Sequence, residues 1–380
     1  MPLNLHDRLH TTSFAFRGYN VTNLGRTAEL LAHRAYGQLM KQWLERASAI
    51  HADVTGRRID LTARVRAGEE TSLETFSQDV AMIVGVEMAH LELLKQFFNV
   101  DYAQAHAGFG YSLGEISALI ASGVFQMEDA LAPLLNLADD CAELARDVTM
   151  GIVFSRGPAL DFDAVQRLCL ELNAEGQGVI GISAYLSPNT VLLLGQGTTV
   201  SRFKRAMRTA LTGPPHLRKN KDRWPPLHTP ILWERNIADR AAFMMHTVGG
   251  GFTAPRPKVL SLVTGKDSYN EINCRETMHR WIDHPQRLWD VVYETLRTGV
   301  EVVVHVGPQP NLVPATFRRL QENVAAQLAR GGGRFHLRAM SGMVRRPWLT
   351  ALLPSRAALL RAPFIQQVIL EDWLLEQEVP

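Results

Sequence analysis

The segment Gly110-Tyr111-Ser112-Leu113-Gly114 constrains the fold more than any other stretch of this chain. Small and apolar residues at 105–109 precede it, and a short amphipathic helical pattern at 116–121 follows it. A glycine two positions away on each side of a serine lets the backbone turn sharply from a strand into a helix and leaves the hydroxyl exposed. The pattern therefore predicts an α/β fold with a strand-turn-helix at Ser112. Five residues of this kind also occur by chance, so a plain small-residue turn is the alternative.

Hydrophobic periodicity predicts further elements on both sides of this motif. Buried strands are predicted at 13–16, 259–264 and 302–306, and helices at 27–49 and 73–98. Between these groups, strands at 151–156, 177–186 and 191–194 alternate with helices at 161–173 and 199–211. The order β, α, β, β, α is typical of a small split βαβ sheet, which we expect as an insertion in a larger domain. The Pro-rich and charged stretch 212–230 marks the return to that domain.

Composition excludes several classes of protein. The chain has 380 residues, 46% of them hydrophobic, which is enough to bury a large core. Its 40 Lys and Arg balance 38 Asp and Glu, so we expect neither a nucleic-acid nor a membrane partner. Three scattered cysteines without a CxxC pair argue against a disulfide framework or a thiolate zinc site. The chain starts without a signal-peptide pattern and no apolar run approaches roughly 18 residues, so we expect a cytoplasmic protein.

A serine hydroxyl is a weak nucleophile and needs a base within hydrogen-bond reach. Histidine is the usual base because its pKa lies near the working pH, and this chain has 13 histidines. His228 lies in a Pro-rich loop, whereas His90 and His279 fall on helical patterns and are more typical of packed or exposed side chains. The residues alone favour His228 without deciding the choice.

Several segments together resemble a known family. Residues 110–124 resemble the GHSLGE(Y/I)SAL…AAGV segment of the malonyl-CoA:acyl carrier protein transacylases, a family that includes the acyltransferase domains of polyketide synthases. In the family's order, 187–195 resembles its SPxQVVxxG strand pair, 227–232 its FHSPLM segment, 262–265 its SNVTG strand and 305–308 its EVGPG turn. The match covers roughly residues 13 to 325, which an isolated GxSxG pattern would not imitate.

The resemblance implies a site and a mechanism. Ser112 would be the nucleophile and His228 its base, and an acyl group would pass from a thioester to Ser112 and then to a phosphopantetheine thiol in ping-pong fashion. The backbone N–H groups of Leu113 and Tyr19 would form the oxyanion hole. Tyr19 stands where the family's GQGSQ segment has glutamine, but only its main chain is needed.

The group that orients His228 is open between a side chain and the main chain. Glu115, Asp239 and Asp283 are candidate carboxylates. In this family a main-chain carbonyl holds the histidine, so we nominate no third catalytic carboxylate. The resemblance implies no bound cofactor: the substrate is the phosphopantetheine thioester of coenzyme A or of a carrier protein, and the partner is an acyl carrier protein.

The sequence departs from the family where malonate would bind. Malonyl-transferring members place an arginine about 25 residues after the serine, where its planar fork binds the free carboxylate. Here that position is Leu137, and no Lys or Arg occurs from 113 to 145. A carboxylate buried there without a partner would cost on the order of several kcal/mol. Trp281 replaces the glutamine of the family's QxxxPVxW segment and Tyr111 its histidine before the nucleophile, so we expect an uncarboxylated acyl group packed against these three residues.

Two basic features are candidate contacts for a carrier protein or for coenzyme A. Arg218, Lys219, Lys221 and Arg223 lie shortly before His228. Nine arginines stand against one acid from 318 to 361, among them the pair at 345–346. The acidic helix of a carrier protein and the phosphates of coenzyme A would be attracted to such patches. For any single residue, a place on an ordinary solvent-exposed surface is an equally good interpretation.

We therefore expect an α/β-hydrolase-like large domain at 13–150 and 223–340, a ferredoxin-like subdomain at 151–222, a helical extension at 341–380, and an active site in the cleft between the domains. The function expected first is acyl transfer from an acyl-CoA or acyl-carrier donor to an acyl carrier protein in polyketide or related secondary metabolism. The alternatives are a hydrolase that edits carrier proteins, an ordinary malonyl transacylase, and a non-catalytic scaffold that binds carrier proteins.

Overall fold

The computed structural model describes residues 4–213, 215–328 and 347–379. The helices in these ranges are α1 Thr27–Ala32, α2 Gly37–Thr55, α3 Leu61–Ala67, α4 Phe76–Phe98, α5 Leu113–Ala121, α6 Met127–Ala145, α7 Phe162–Ala174, α8 Thr199–Ala210, α9 Ile237–Met244, α10 Cys274–Arg280, α11 Leu288–Arg297, α12 Leu312–Leu328, α13 Pro347–Leu352 and α14 Leu370–Glu376. The strands are β1 Thr12–Phe16, β2 Ala107–Gly110, β3 Val148–Ser155, β4 Ile180–Ser187, β5 Thr190–Gln196, β6 Pro215–Lys219, β7 Leu260–Ser261, β8 Lys266–Asp267, β9 Val302–Val306 and β10 Gln366–Ile369. Short 3-10 helices lie at His6–Thr11, Tyr102–Gln104, Pro230–Arg235 and Ala357–Phe364.

A parallel sheet forms the centre of the large domain. Its strand order is β10-β9-β1-β2, and β1 pairs with both β9 and β2 in parallel. Every residue of β1 and β9 is buried, as expected of strands that helices cover on both faces. A parallel bridge from Gly108 to Val259 continues the sheet beyond β2. Because β2 ends at Gly110, the sheet places the following turn at the carboxyl edge of its strands.

A second sheet, antiparallel and in the order β4-β5-β3-β6, is inserted between α6 and the 3-10 helix at Pro230–Arg235. With α7 and α8 it gives the succession βαββαβ and the ferredoxin-like strand order. Successive residues of its strands point to opposite faces of the sheet. Val153, Leu193 and Leu217 pack with α7 and α8, whereas Met150 and Leu194 face the large domain. The chain is therefore an α/β-hydrolase-like large domain that carries a ferredoxin-like subdomain.

Several elements differ in detail from the sequence-based expectation. The helix expected at 27–49 is divided into α1 and α2, because the chain turns at His33–Tyr36. The strand expected at 259–264 is reduced to β7 and the bridge at Val259. The Pro-rich stretch 212–230 contains β6, the fourth strand of the small sheet, and β3 begins at Val148 rather than at 151.

The C-terminal segment contains a strand that the sequence did not reveal. One apolar helix was expected from Leu359 to Leu375, within a helical extension at 341–380. The structure instead has the 3-10 helix at Ala357–Phe364, then β10 and α14. β10 pairs in parallel with β9 and forms the edge of the main sheet, so the expectation of a purely helical extension was wrong. Residues 341–346 lie outside the described ranges. No helix of the described residues is long and apolar enough to cross a membrane.

Candidate active site

Ser112 lies on a sharp turn between β2 and α5. Its backbone has φ 54° and ψ −120°, a strained conformation for a residue with a side chain. The turn is tight enough that a Cβ on Gly110 would lie 2.0 Å from the carbonyl carbon of Gly114, and a Cβ on Gly114 would lie 2.3 Å from the Phe16 carbonyl oxygen. Both glycines of the motif are therefore required by close backbone approach, and the strained serine is typical of a functional site.

The side chains of Ser112 and His228 are hydrogen-bonded. Ser112 Oγ lies 2.8 Å from His228 Nε2, and His228 Nδ1 lies 2.7 Å from the carbonyl oxygen of Trp281. A carbonyl only accepts, so Nδ1 carries the proton and Nε2 is free to accept the serine proton. The structure thus brings together the two residues that the sequence nominated, although they are 116 positions apart in the chain.

Burial keeps His228 neutral. The side chain is 3% exposed, and this desolvation lowers its pKa to about 4, against the raising effects of the Trp281 carbonyl and of the charge on Asp283. At neutral pH the imidazole is therefore unprotonated and can act as a base.

The main chain, and not a carboxylate, holds the histidine ring. Glu115 is buried, but it accepts hydrogen bonds from the Leu262 N–H and the Tyr269 hydroxyl. Asp283 contacts His284 and the indole of Trp233, and Asp239 is exposed. None of these three carboxylates has a hydrogen bond to His228 in the described part of the chain.

Trp281 contacts both members of the pair. Its indole N–H donates to the Ser112 carbonyl over 2.9 Å, and its ring stacks edge-on against the imidazole with centroids 4.9 Å apart. The sequence predicted Trp281 as a wall of the substrate pocket. The structure shows that it holds the backbone of Ser112 and the ring of His228.

Leu113 and Tyr19, the two residues expected to form the oxyanion hole, line cavities that Ser112 also lines. Leu113 is the first residue of α5, so its N–H has no acceptor within the helix. The loop that carries Tyr19 presses against the serine turn: a Cβ on Gly18 would lie 2.5 Å from the Tyr111 carbonyl oxygen. Arg17 fixes this loop, since its buried guanidinium donates to the carbonyl oxygens of Gly18 and Pro308 over 2.7 and 2.5 Å.

Ser112 lies where two cavities meet. The larger one, of about 230 Å³, lies between the main sheet and the small sheet and is mostly apolar. Its lining includes His228, Tyr111, Ile152, Leu192, Leu194 and Leu312. The smaller one, of about 30 Å³, lies behind the serine against α4 and α6. Its lining includes Leu113, Leu134, Leu137, Cys141, Trp281 and Ile282. Tyr19 lines both cavities.

The three predicted pocket residues are therefore divided between the cavities. Leu137 and Trp281 line the smaller one, and Tyr111 lines the larger one. None of the described residues that line the smaller cavity carries a charge. Two buried arginines lie nearby, but Arg17 is bonded to main-chain carbonyls and Arg64 lies 2.6 Å from Asp79.

Gln286 is a site residue that the sequence reasoning missed. It is fully buried, and its side-chain oxygen accepts the backbone N–H of Ser112 over 3.1 Å. Its backbone exchanges two 2.8 Å hydrogen bonds with Ser183 and Tyr185 of β4, so it joins the small sheet to the serine turn. A signal was present: the family pattern QxxxPVxW has valine after the proline, and this chain has Gln286 after Pro285.

The predicted basic contacts are all on the surface. Arg218, Lys219 and Arg223 are exposed. Arg218 on β6 lies directly opposite Ile152 on β3, so the two side chains share one face of the small sheet. Ile152 lines the larger cavity, so this face borders that cavity. The C-terminal pair at 345–346 lies outside the described residues. Among the residues that are described, no group of three or more His, Cys, Asp or Glu could hold a metal ion.

A neutral histidine bonded to a serine on a strand-to-helix turn is the arrangement that activates a serine as a nucleophile in many enzymes with α/β-hydrolase-like domains. Comparison with known proteins gives a more specific similarity. A malonyl CoA-acyl carrier protein transacylase of Salmonella typhimurium is 24% identical over 326 residues, 83% of this chain and 95% of that protein. Polyketide synthase GfsB of Streptomyces halstedii is 27% identical over 204 residues, 52% of this chain and 3% of that protein.

Solved structures agree on the fold. FabD from Acinetobacter baumannii superposes with a TM-score of 0.64 at 18% identity, over 82% of this chain and 91% of that one. The malonyl-transacylase PlMCAT, solved in complex with the type II polyketide acyl-carrier protein AntF, superposes with a TM-score of 0.60 at 22% identity, over 81% and 92%. No family model matches the chain. These relatives confirm the resemblance of the chain to malonyl-CoA:acyl carrier protein transacylases and to polyketide synthase acyltransferase domains.

Proposed function

We propose that this acyltransferase moves an acyl group without a free carboxylate from an acyl thioester, through an ester on Ser112, to the phosphopantetheine thiol of an acyl carrier protein. One observation carries the proposal: Ser112 Oγ lies 2.8 Å from the Nε2 of a His228 whose other nitrogen is committed to a main-chain carbonyl. The carrier-protein acceptor is supported by the names of the relatives and by the solved complex of PlMCAT with AntF.

The chemistry follows from these contacts. His228 Nε2 takes the serine proton while Oγ attacks the thioester carbonyl, and the N–H groups of Leu113 and Tyr19 receive the oxyanion. Collapse of the tetrahedral intermediate breaks the C–S bond, and His228 returns the proton to the departing thiolate. The acyl-Ser112 ester is then attacked by the carrier thiol in the reverse sequence, which regenerates the serine. Such a sequence is ping-pong.

The absence of a carboxylate on the acyl group is supported by charge. The cavity that contains Leu137 has no charged side chain among its described lining, and burial raises the pKa of Cys141 there to about 12. The donors of Arg17 and Arg64 nearby are engaged. A malonyl carboxylate placed there would lose its hydration without gaining a partner.

Arg218, on the edge strand of the small sheet, is exposed and pairs with Ile152, close to the larger cavity. Its positive charge favours the binding of an acidic or phosphorylated partner there. A carrier protein and coenzyme A both offer such groups, so the donor is an acyl-CoA or an acyl-carrier thioester. We place the reaction in polyketide or related metabolism in the cytoplasm.

An ordinary malonyl-CoA:acyl carrier protein transacylase is the second candidate, and the names of the relatives favour it as strongly. The two differ in one measurable property, which is the charge of the acyl group on Ser112.

Intact-mass measurement of the enzyme with a panel of acyl-CoA thioesters, with and without a holo carrier protein, tests the proposal. We expect an acyl adduct that is absent from Ser112→Ala and that moves to the carrier when it is added. If the acyl thioester is hydrolysed at the same rate with and without the carrier protein, the protein is instead an editing hydrolase. No adduct with any donor would favour a carrier-binding scaffold.

Replacing Leu137 tests the carboxylate argument. We expect Leu137→Arg to raise malonyl loading relative to acetyl loading, because a guanidinium then faces the smaller cavity. Leu137→Met is the matched control, since it keeps volume and neutrality and should leave the ratio unchanged. Equal ratios in both variants would show that other residues select the acyl group.

A further inference from the structure

The two cavities that meet at Ser112 differ in the residues that line them. Leu113, whose N–H is proposed for the oxyanion hole, lines the smaller cavity and not the larger one, and Tyr19 lines both. His228 lines the larger cavity and not the smaller one. A tetrahedral intermediate on Ser112 must place its leaving sulfur where His228 can protonate it. We infer that the sulfur and its pantetheine arm would lie in the larger cavity, which leaves the smaller one for the acyl substituent.

Unpartnered polar atoms support the same assignment. The indole N–H of Trp224 and Nδ1 of His305 are buried, have no hydrogen-bond partner among the described residues, and belong to side chains that line the larger cavity. His305 Nε2 lies 3.1 Å from Gln367 Oε1, an acceptor, so its Nδ1 is unprotonated and accepts. A pantetheine arm has two amides that can accept from Trp224 and donate to His305. An alkyl chain would leave both atoms unsatisfied, at the cost of their desolvation.

The smaller cavity has room for few atoms. A space of about 10–15 Å³ is needed to admit one water-sized group. The smaller cavity, at about 30 Å³, thus accommodates two or three such groups, whereas the larger one has about 230 Å³. Its floor is Leu134, Leu137 and Cys141 of α6, and Leu137 and Cys141 are buried.

We propose that the structure selects a short, uncharged acyl group of about two or three carbons, such as acetyl or propionyl, and that the side chain of Leu137 sets the length limit. This inference rests on the acyl-transfer function proposed above and adds the size of the acyl group. It also corrects the expected pocket: Tyr111 faces the pantetheine side, so Leu137 and Trp281 alone of the three contact the acyl group.

Acyl-chain length is the variable that tests this inference. The wild-type enzyme is mixed with acetyl-, propionyl-, hexanoyl- and decanoyl-CoA in separate reactions, and the initial rate of adduct formation on Ser112 is followed by intact mass. We expect acetyl and propionyl to load at least ten-fold faster than hexanoyl, since each methylene that a pocket excludes costs about ten-fold or more. Hexanoyl or decanoyl loading as fast as acetyl would overturn the length limit and leave the transferase function standing. No adduct with any thioester would overturn the proposed function itself.

Two matched variants locate the limit. Leu137→Ala opens the smaller cavity and should raise the hexanoyl-to-acetyl ratio about ten-fold. Leu194→Ala removes the same side-chain atoms from the lining of the larger cavity, at an equally buried position, and should leave that ratio unchanged. A shift in Leu194→Ala and none in Leu137→Ala would place the acyl group in the larger cavity and contradict the inference. If Leu137→Ala does not fold, Leu134→Ala, on the same helix and only half-buried, makes the same test.

Discussion

At the scale of single residues, the site depends on burial as much as on contact. His228 has a positive φ of 66°, its N–H donates to the Ile282 carbonyl, and both ring nitrogens are within hydrogen-bond distance of a partner. Gln286 Nε2 also lies 3.4 Å from His228 Nδ1, but the 2.7 Å contact with the Trp281 carbonyl is shorter and fixes the tautomer. The ring is therefore held in one orientation, with the unprotonated Nε2 facing Ser112 Oγ.

The pH dependence of acylation follows from this burial. Desolvation lowers the pKa of His228 to about 4, so the base is lost only as the pH falls through about 4 and the imidazole becomes protonated. The rate of acyl-Ser112 formation should be level from neutral pH down to about 5 and fall below that. Rapid-quench intact mass across pH 3.5–8 measures it, with circular dichroism at each pH as the control for folding. A midpoint at the ordinary histidine value near 6.5 would contradict this account.

Gln286 should act as a positioning residue for the nucleophile. In Gln286→Leu the buried Ser112 N–H loses its acceptor, so we expect acylation to slow about ten-fold with the pH midpoint unchanged. In Gln286→Glu the acceptor is kept, but a carboxylate lies close to the His228 ring and should raise its pKa above about 4. The pH profile separates the two variants, since a merely structural role would move neither midpoint. Wild-type rates in Gln286→Leu at every pH would remove Gln286 from the site.

At the scale of elements, the sequence predicted those whose pattern is local. The apolar runs in β3 and β5, the long apolar α4 and the glycines around Ser112 are local patterns that predict these elements from the sequence. β6 and β10 have no such pattern. β6 reads Pro-His-Leu-Arg-Lys and is a strand because β3 pairs with it, and β10 lies in an apolar run that looks helical until β9 supplies its partner.

The position of β10 in the main sheet predicts a contrast in stability. Val368 is 8% exposed and lies opposite Val304, whereas Gln366 on the same strand is exposed. Val368→Asp buries a carboxylate beside the sheet and should lower the free energy of unfolding by about 2–3 kcal/mol. Gln366→Asp is the control and should change it by less than about 0.5 kcal/mol. Equal urea midpoints for the two variants would show that β10 is not part of the core.

At the scale of the whole molecule, the site exists only between the two subdomains. The large domain supplies Ser112, the loop after the small sheet supplies His228, and Gln286 bonds to both β4 and the serine turn. The motifs predicted Ser112 and His228, which the structure brings within hydrogen-bond distance. The acyl group without a carboxylate, predicted from the missing arginine at Leu137, stays a prediction. The division into two cavities and the role of Gln286 could not be predicted, because they depend on how the small sheet packs over the serine.

A competition between two donors measures the proposed preference for an acyl group without a carboxylate. The wild-type enzyme is mixed with equimolar acetyl-CoA and malonyl-CoA, and intact mass within the first turnover shows which acyl group is on Ser112. We predict that the acetyl adduct exceeds the malonyl adduct by at least ten-fold, because Leu137 and its neighbours offer a carboxylate no partner. A malonyl adduct in excess would contradict the account and establish an ordinary malonyl transacylase.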